Sequence, residues 1–459
     1  MTTLTCVSPI DGSVVAERPA MTLGDAEAAI ARARSAQPAW SRRPLEERRE
    51  LVRSAVERLG AMNAAIVPEL ARMMGRPVRY GGEFGGVRER SEYMLAVAEQ
   101  ALGPLLVEHS ERFERRIVRE PHGVVLVIAP WNYPYLTAIN TIVPALVAGN
   151  AVVLKHATQT ILAGERLAAA FDELPDGVFA NLQLDHGTTS RLLQARRFDF
   201  VNFTGSVGAG QALERAAAGT FVGLGLELGG KDPGYVMEDA DLGVAVDTLM
   251  DGAMYNAGQC CCGIERIYVA APVFAAFVEG AVAWASKLRL GDPLDPATTL
   301  GPMANLRFAD LVRAQTAEAV AGGARPLVDP ALFAADDGAT YLGPQVLVDV
   351  THDMRVMREE SFGPVVGIMP VRSDDEAIAM MNDSDYGLTA SLWTNDPERA
   401  GHVGSQVETG TVFMNRADYL DPALCWTGCK QTGRGATLSV IGYQSLTRPK
   451  SYHLRKLAP

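Results

Sequence analysis

The amino-acid sequence predicts an α/β protein built around a parallel, doubly wound sheet with helices on both faces. Two observations carry this prediction. From residue 123 onward, short apolar runs alternate with helical stretches, the pattern of repeated strand and helix units. The chain has 459 residues, 48% of them hydrophobic, which is enough for two or three domains with cores of their own.

The opening third of the chain is predicted to be mostly helical. Its clearest segment is residues 45–59, where apolar residues recur at helical spacing among charged ones. The predicted strands that follow are residues 124–129, 151–154, 180–184, 198–203 and 222–228. A sheet of this kind usually binds a nucleotide at the carboxyl ends of its strands. From residue 229 a second α/β pattern begins, with predicted strands at residues 264–270 and 365–370.

Charge and cysteine usage narrow the functional class. The net charge is −12 and no run of lysines or arginines occurs, so neither a nucleic-acid nor a membrane partner is expected, and small molecules are favoured. No apolar stretch approaches a membrane span, and the first residues lack a signal-peptide pattern, which predicts a cytoplasmic protein. Three of the six cysteines are adjacent, which fits neither a disulfide framework nor a C-x-x-C metal site.

The segment NAGQCCC at residues 256–262 is the strongest local signal for chemistry. It is a glycine-containing turn that presents thiols after a predicted helix, so one of them is expected to be a nucleophile. The alternative is that the cysteines are inert, buried hydrophobic residues, as most lone cysteines are.

Glu227 is a candidate base for such a nucleophile. It lies 34 residues before Cys261, at the end of an apolar predicted strand and just before Gly229-Gly230-Lys231. A carboxylate in so apolar a run is costly to bury unless it is used or paired. An ion pair with Lys231 is the alternative interpretation.

Two further segments follow predicted strands. Asn132, within PWNYP at residues 130–134, offers an amide donor to developing negative charge, although such a sequence is also an ordinary turn. The segment FTGSVGAG at residues 203–210 runs from a strand into a glycine turn and a helix, which suits a phosphate. It is not the G-x-G-x-x-G fingerprint, and a glycine turn by itself is weak evidence of a ligand.

Taken together and in this order, these segments resemble the aldehyde dehydrogenase superfamily over nearly the whole chain. The matching pieces are PWNYP at 130–134, VVLKHATQT at 152–160, FTGSVGAG at 203–210, LELGGKDP at 226–233, NAGQCC at 256–261, EESFGPVVG at 359–367 and WTGCKQTGRG at 426–435. The resemblance implies a Rossmann-type cofactor domain (residues 1–103 and 122–228), an α/β catalytic domain (229–440) and a small oligomerisation element (104–121 and 441–459) of a homodimer or homotetramer.

The resemblance also implies roles for individual residues. The family pattern Gly-Gln-x-Cys places the nucleophile two residues after the glutamine, which here is Gln259, so the nucleophile is expected to be Cys261. Asn132 and the Cys261 backbone N–H are expected to form the oxyanion hole, and Glu227 to be the base for thioester hydrolysis. Lys155 resembles the lysine with which the family binds the cofactor ribose, and Glu360 resembles the carboxylate with which it binds the nicotinamide ribose. The full set of expected cofactor contacts is Trp131, Lys155, Thr158, Gly205, Ser206, Leu228, Gly229, Glu360 and Phe362.

The expected reaction is oxidation of an aldehyde to the acid through a thiohemiacetal and a thioester on Cys261. Because the branch that passes its acyl group to coenzyme A tends to lack the glutamate found here at Glu227, hydrolysis is favoured over acyl transfer to coenzyme A or phosphate. A non-catalytic binding or structural protein with this fold is the alternative from another class, and the three intact residues weigh against it.

Two departures from the family pattern bear on the cofactor. After Lys155 the family usually has proline and, in NAD-preferring members, a glutamate three residues on; here the positions are His156 and Thr158. A neutral threonine does not repel a 2′-phosphate, so NADP can bind. Lys155 is the only cation nearby in sequence, which argues against strict use of NADP. We therefore expect use of both NAD and NADP, with a preference for NADP.

Other departures bear on the substrate. Enzymes similar to succinate-semialdehyde dehydrogenase carry arginines at two positions that here are Asn140 and Tyr255, so a substrate with a distal carboxylate is disfavoured. The expected tunnel residues are aromatic, which suits an apolar, aromatic or cationic aldehyde, although each is also compatible with ordinary core. They are Tyr133, Tyr135, Tyr255, Tyr419 and Trp426. The segment from Gly433 onward departs from the family pattern, and no role is assigned there.

Overall fold

The computed structural model describes residues 2–457. Its strands are β1 Thr3–Val7, β2 Val14–Pro19, β3 Leu105–His109, β4 Phe113–Pro121, β5 Val124–Ala129, β6 Ala151–His156, β7 Phe179–Asn181, β8 Phe200–Thr204, β9 Gly223–Glu227, β10 Asp232–Val236, β11 Ile264–Ala270, β12 Arg325–Pro326, β13 Gln345–Val348, β14 Val365–Val371, β15 Tyr386–Gly387, β16 Thr389–Trp393, β17 Thr411–Met414, β18 Cys429–Lys430, β19 Gly433–Arg434 and β20 Thr447–Arg455. Its helices are α1 Leu23–Ser41, α2 Leu45–Ala61, α3 Asn63–Met74, α4 Phe84–Leu102, α5 Leu136–Val147, α6 Ile161–Ala170, α7 His186–Gln194, α8 Val207–Ala217, α9 Leu242–Met254, α10 Phe274–Ala285, α11 Leu306–Ala321, α12 Arg355–Arg358, α13 Asp374–Asn382, α14 Pro397–Gly404 and α15 Ser439–Ser445.

The first large sheet has the strand order β19-β9-β8-β5-β6-β7, and all of its neighbouring pairs are parallel except β19 with β9. Every residue of β5, β6 and β8 is buried, which explains why these strands read as continuous apolar runs rather than alternating ones. The strand order reverses direction between β5 and β8. In open parallel sheets such a reversal opens a crevice at the carboxyl ends of the strands, where nucleotides bind.

The second large sheet has the order β12-β13-β14-β11-β10-β16-β17 and is parallel apart from β12. Its amino edge faces the carboxyl edge of the first sheet, as the hydrogen bond from Asn132 after β5 to Gln259 before β11 shows. Two parallel sheets covered by helices confirm the predicted α/β class. None of the helices within residues 2–457 combines the length and apolar character needed to cross a membrane.

A third sheet has the order β20-β4-β3 and is antiparallel. It joins the two segments predicted to form the small oligomerisation element, since β20 pairs with β4 along its whole length from Thr447↔Pro121 to Arg455↔Phe113. At its edge, β3 leaves Leu105, Leu106 and Val107 at 63%, 60% and 55% exposure.

Several predicted strand bounds shift by one or two residues, and three larger differences separate the structure from the sequence prediction. The hairpin β1–β2 precedes the helices of the opening third and was not predicted. Strand β7 ends at Asn181 rather than at residue 184, because the chain turns into α7, whose N-cap Asp185 accepts a hydrogen bond from the Thr188 N–H. Strand β19 lies within the range predicted for the catalytic domain but pairs with β9 of the first sheet.

Candidate active site

The three adjacent thiols follow a strained turn. After α9 the backbone of Asn256, Ala257 and Gly258 is left-handed at three consecutive residues, with φ of 55°, 56° and 68°. A Cβ on Gly258 would collide with the carbonyl oxygen of Gly363, so only glycine fits there. Gln259 fixes the turn by donating to the Asn256 carbonyl at 3.0 Å and accepting from the Ala304 N–H at 2.8 Å. Strain of this kind is held in place by such contacts and is typical of functional sites.

The environments of the three sulfurs differ. All three lie within 4.8 Å of one another, and Cys260 and Cys262 are buried while Cys261 is partly accessible. The sulfurs of both flanking thiols lie within hydrogen-bond distance of the Asp418 carboxylate, at 3.3 and 2.9 Å, and each has a single proton to donate either to Asp418 or to a neighbouring sulfur. Hydrogen bonds from Cys260 and Cys262 lower the pKa of Cys261 to about 6, and the same contact with Cys261 raises the pKa of Cys260 to about 12. These contacts favour the thiolate on Cys261 over its two neighbours.

Two hydrogen-bond donors border Cys261. Asn132 follows β5, is 5% exposed and donates from Nδ2 to the Gln259 carbonyl at 3.2 Å. The backbone N–H of Cys261 donates to no acceptor within residues 2–457. An amide side chain and a free backbone N–H next to a thiolate are the parts of an oxyanion site.

Glu227 ends β9 at the carboxyl edge of the first sheet. Its carboxylate accepts from the Thr437 hydroxyl at 2.6 Å and the Thr204 hydroxyl at 3.2 Å. Burial raises its pKa, as a general base near neutral pH requires. Lys231 does not pair with it, because Lys231 lies 2.5 Å from Glu265 and 3.0 Å from the Ser361 hydroxyl. The ion pair considered from the sequence is thus absent from the described residues.

No role was predicted for Arg76 from the sequence, yet its side chain contacts two separate parts of the candidate site. It is 3% exposed and donates to the Asn132 carbonyl at 2.5 Å, the Asn256 side chain at 3.2 Å and Glu83 at 2.7 Å. Glu83 in turn accepts from the backbone N–H groups of Tyr135 and Leu136 at the start of α5. The loop that carries Asn132 and the turn that carries the thiols are therefore held by one buried ion pair. The sequence around Arg76 does not predict these contacts, because the residues that Arg76 binds lie far away along the chain.

The residues expected to hold the phosphates and the adenine end lie at the carboxyl edge of the first sheet. Lys155 is near the end of β6, is buried and donates no hydrogen bond within the described residues, and burial lowers its pKa. Ser206 caps α8, and Gly205 lies between β8 and this cap. Thr158 begins a short 3₁₀ turn after β6. A lysine and a free helix N-terminus at one sheet edge suit a dinucleotide's ribose and phosphates.

The expected nicotinamide end lies between the two sheets. Glu360 accepts from the Gly230 N–H at 3.0 Å, and a Cβ on Gly229, which follows Leu228, would displace the Glu360 carboxylate. Burial raises the pKa of Glu360 to about 8. The ring of Phe362 lies edge-on to Trp131 with centroids 5.6 Å apart. The donors, acceptors and flat rings present here fit a nicotinamide nucleotide.

His156 occupies the position where the family has proline, and its role is structural. It is buried, its Nε2 lies 3.1 Å from the Pro134 carbonyl, and its Nδ1 lies 3.3 Å from the Thr160 hydroxyl. Burial lowers its pKa to about 4, so the ring is neutral at physiological pH. It contributes no cation for a 2′-phosphate.

The five aromatic residues expected in the substrate tunnel lie in different parts of the structure. Burial raises the pKa of both Tyr133 and Tyr255, and the charge of Asp418, which both flanking thiols contact, acts on both rings. Tyr419 lies further out, donating to Glu89 at 2.6 Å with Arg416 stacked on its ring. Trp426 is buried and pairs with Thr437, which also binds Glu227. Tyr135 instead lies in the hydrophobic core, where Glu69, Glu83 and Arg166 are the charged groups acting on it.

Comparisons with known proteins agree with this geometry. The family model of the aldehyde dehydrogenase family matches residues 1–452. The chain is similar to the NAD(P)+-dependent succinate semialdehyde dehydrogenase Sad of Escherichia coli, with 32% identity over 95% of this chain and 94% of that one. It is similar to a 4,4′-diapolycopene aldehyde oxidase of Methylomonas sp, with 34% identity over 98% and 86% of the two chains.

Among solved structures, the NADP-dependent glyceraldehyde-3-phosphate dehydrogenase of Bacillus halodurans C-125, complexed with NADP, superimposes with a TM-score of 0.92. The identity is 31%, over 99% of this chain and 96% of that one. The chain belongs to the aldehyde dehydrogenase family and is an NAD(P)-dependent oxidoreductase.

Proposed function

We propose that this protein oxidises an aldehyde to the free carboxylic acid, with Cys261 as the nucleophile, Glu227 as the general base, and Asn132 with the Cys261 N–H as the oxyanion site. The observation that carries the proposal is the arrangement around Cys261: it is the accessible thiol of three, its own N–H has no acceptor within residues 2–457, and Asn132 Nδ2 contacts the Gln259 carbonyl two residues before it.

The residues divide the reaction into two halves. The Cys261 thiolate adds to the carbonyl carbon, and the negative oxygen that forms is stabilised by Asn132 Nδ2 and the Cys261 N–H, each contributing on the order of 3 kcal/mol. NAD(P)+, when bound, supplies the acceptor for the hydride. Glu227 then takes a proton from water, and the hydroxide attacks the thioester on Cys261 and releases the acid. The two hydroxyls on the Glu227 carboxylate orient it for this step and oppose the rise in its pKa that burial causes.

We propose that the cofactor is held by the residues expected from the sequence and that both NAD and NADP are used, with NADP preferred. Thr158 is neutral, and the unpaired Lys155 near it supplies a cation for a 2′-phosphate. The relative from E. coli is named for use of either cofactor. The preference is tested by comparing kcat/KM for the two cofactors, and a value for NAD more than about a hundredfold higher would reject it.

The aromatic residues support an apolar path to the thiols. The charge of Asp418, which both flanking thiols contact, acts on Tyr133 and Tyr255, and such aromatic rings suit an aldehyde whose carbon chain is apolar or aromatic near the reacting carbon. The cationic class has weaker support, because burial raises the pKa of Asp418 well above its usual range and its oxygen is occupied by two thiols.

We also propose that the protein self-associates through the β20-β4-β3 sheet. Three adjacent exposed apolar residues on an edge strand are the kind of surface that a second copy covers. A cytoplasmic location is supported by the need to keep Cys261 reduced.

A panel of aldehydes mixed with the protein and either cofactor tests the proposed function. We expect absorbance of reduced cofactor with several aldehydes and none with Cys261→Ala. Silence across the panel would favour a non-catalytic protein, whereas turnover that requires added coenzyme A or phosphate would replace hydrolysis by acyl transfer.

A further inference from the structure

Arg90, on the second turn of α4, is a buried guanidinium that has no counterion among the described residues. It is 8% exposed, and only Nη1 has partners: the Asn140 side-chain oxygen at 3.2 Å and, more weakly, the Leu136 carbonyl at 3.5 Å. Within residues 2–457, Nε and Nη2 donate to no acceptor, and neither atom is sealed from accessible space. The free edge of Arg90 is thus the one with two parallel N–H groups.

Such an arrangement costs free energy unless an anion completes it. A buried charge is ordinarily paired, as Arg76 is with Glu83 at 2.7 Å. Glu83 is not available to Arg90, because Arg76 and two backbone N–H groups of α5 already use its oxygens. Burial lowers the pKa of Arg90, and within residues 2–457 none of the negative groups that oppose this effect forms an ion pair with it.

Contacts of Arg90 and of its neighbour Glu89 connect this part of α4 to the thiol site. Glu89 accepts from Tyr419, which follows Asp418, and both flanking thiols lie within hydrogen-bond distance of the Asp418 carboxylate. Asn140, the partner of Arg90, lies on α5, the helix that follows the loop carrying Asn132. The charges that act on Arg90 include those of Cys262, Glu227 and Asp418.

Asn140 supplies a second, independent observation. It is 2% exposed, and its Nδ2 has no hydrogen-bond partner although it is buried. Buried amide donors are almost always satisfied, so a donor left open beside an unpaired guanidinium indicates a missing acceptor. Two N–H groups of Arg90 in a planar fork match the two oxygens of a carboxylate.

We propose that Arg90, oriented by Asn140, binds a carboxylate at the end of the substrate away from the aldehyde, so that the preferred substrates are ω-oxo carboxylic acids. This inference rests on the proposed aldehyde oxidation and revises the expectation drawn from Asn140 and Tyr255. The guanidinium absent from position 140 in sequence comes instead from α4 and contacts residue 140 in space.

The test compares wild type with Arg90→Met on matched substrates: ω-oxo carboxylic acids of increasing chain length and the n-alkanals of the same lengths. We expect wild type to prefer one of the oxo acids and Arg90→Met to lose about 100-fold in kcat/KM for it while retaining the alkanal. Arg90→Lys is expected to fall between the two. Arg88→Met, an exposed arginine on the same helix, is the control and should change neither.

Binding of dicarboxylates of the same lengths, measured by calorimetry, gives a readout that does not need turnover. Wild type is expected to bind one of them and Arg90→Met to lose that binding. Equal losses for both substrate types, a wild-type preference for alkanals, or dicarboxylate binding unaffected by Arg90→Met would each overturn the inference. Absence of any aldehyde oxidation, with Arg90-dependent dicarboxylate binding intact, would instead remove the proposed function and leave the anion site.

Discussion

Cys261 differs from its two neighbours in what its sulfur contacts. The single S–H proton of Cys260 or of Cys262 can be donated to Asp418 or to Cys261, and donation to Cys261 favours the thiolate on the middle residue. The sequence alone left three thiols equivalent, and only the spacing from Gln259 separated them. The contacts give a physical reason for the same choice.

This difference predicts the pH dependence of alkylation. Because only the thiolate reacts, iodoacetamide labelling of Cys261 should rise with pH with a midpoint of about 6, while Cys260, with a pKa of about 12, stays largely unlabelled at neutral pH. Peptide mapping by mass spectrometry over a pH series measures both. A midpoint near the ordinary thiol value, or faster labelling of Cys260, would contradict the assignment.

At the scale of elements, the site depends on how the loop after β5 is fixed to the turn after α9. Arg76 donates to both and is itself paired with Glu83. Breaking a buried pair leaves an uncompensated charge, which typically costs about 3–5 kcal/mol.

Arg76→Met is therefore expected to lower the free energy of unfolding by about 3 kcal/mol or more and to reduce kcat, because Asn132 loses its anchor. Urea denaturation and steady-state kinetics check both effects. Arg72→Met, an exposed arginine on α3, serves as the control. Equal denaturation midpoints for the two variants would show that the Arg76 pair does not support the site.

The strands whose bounds could be predicted from the sequence were those formed by continuous apolar segments. The predicted bounds of β5 and β11 agree with the structure, since fully buried parallel strands read as unbroken apolar runs. The hairpin β1–β2 is partly exposed and short, so its alternation is a weak signal. Arg76 and Arg90 could not be recognised, because a charged residue on a helix is ordinarily solvated. What singles them out is burial against partners far along the chain.

At the scale of the whole molecule, the active site forms where the carboxyl edge of one sheet meets the amino edge of another. The first sheet contributes Asn132 and Glu227, and the turn before β11 of the second sheet contributes Cys261. The third sheet stands outside this arrangement and has an exposed apolar edge.

If that edge is the self-association surface, Leu106→Glu should shift the protein toward the monomer by placing a charge in an apolar interface. Sedimentation velocity measures the change. Leu332→Glu is the matched control, since Leu332 has a similar exposure of 55% and lies far from this sheet in the chain. An unchanged oligomer in Leu106→Glu, or equal dissociation in both variants, would contradict this assignment.

The central claim, a thioester on Cys261 that Glu227 hydrolyses, is tested most directly by trapping that thioester. Glu227→Gln keeps the nucleophile and the oxyanion donors but removes the base. Incubated with aldehyde and NADP, this variant should release about one equivalent of reduced cofactor and then stop. Intact-mass spectrometry should show one added acyl group, and peptide mapping should locate it on Cys261. Full turnover by Glu227→Gln, or an acyl group on Cys260 or Cys262, would contradict the account.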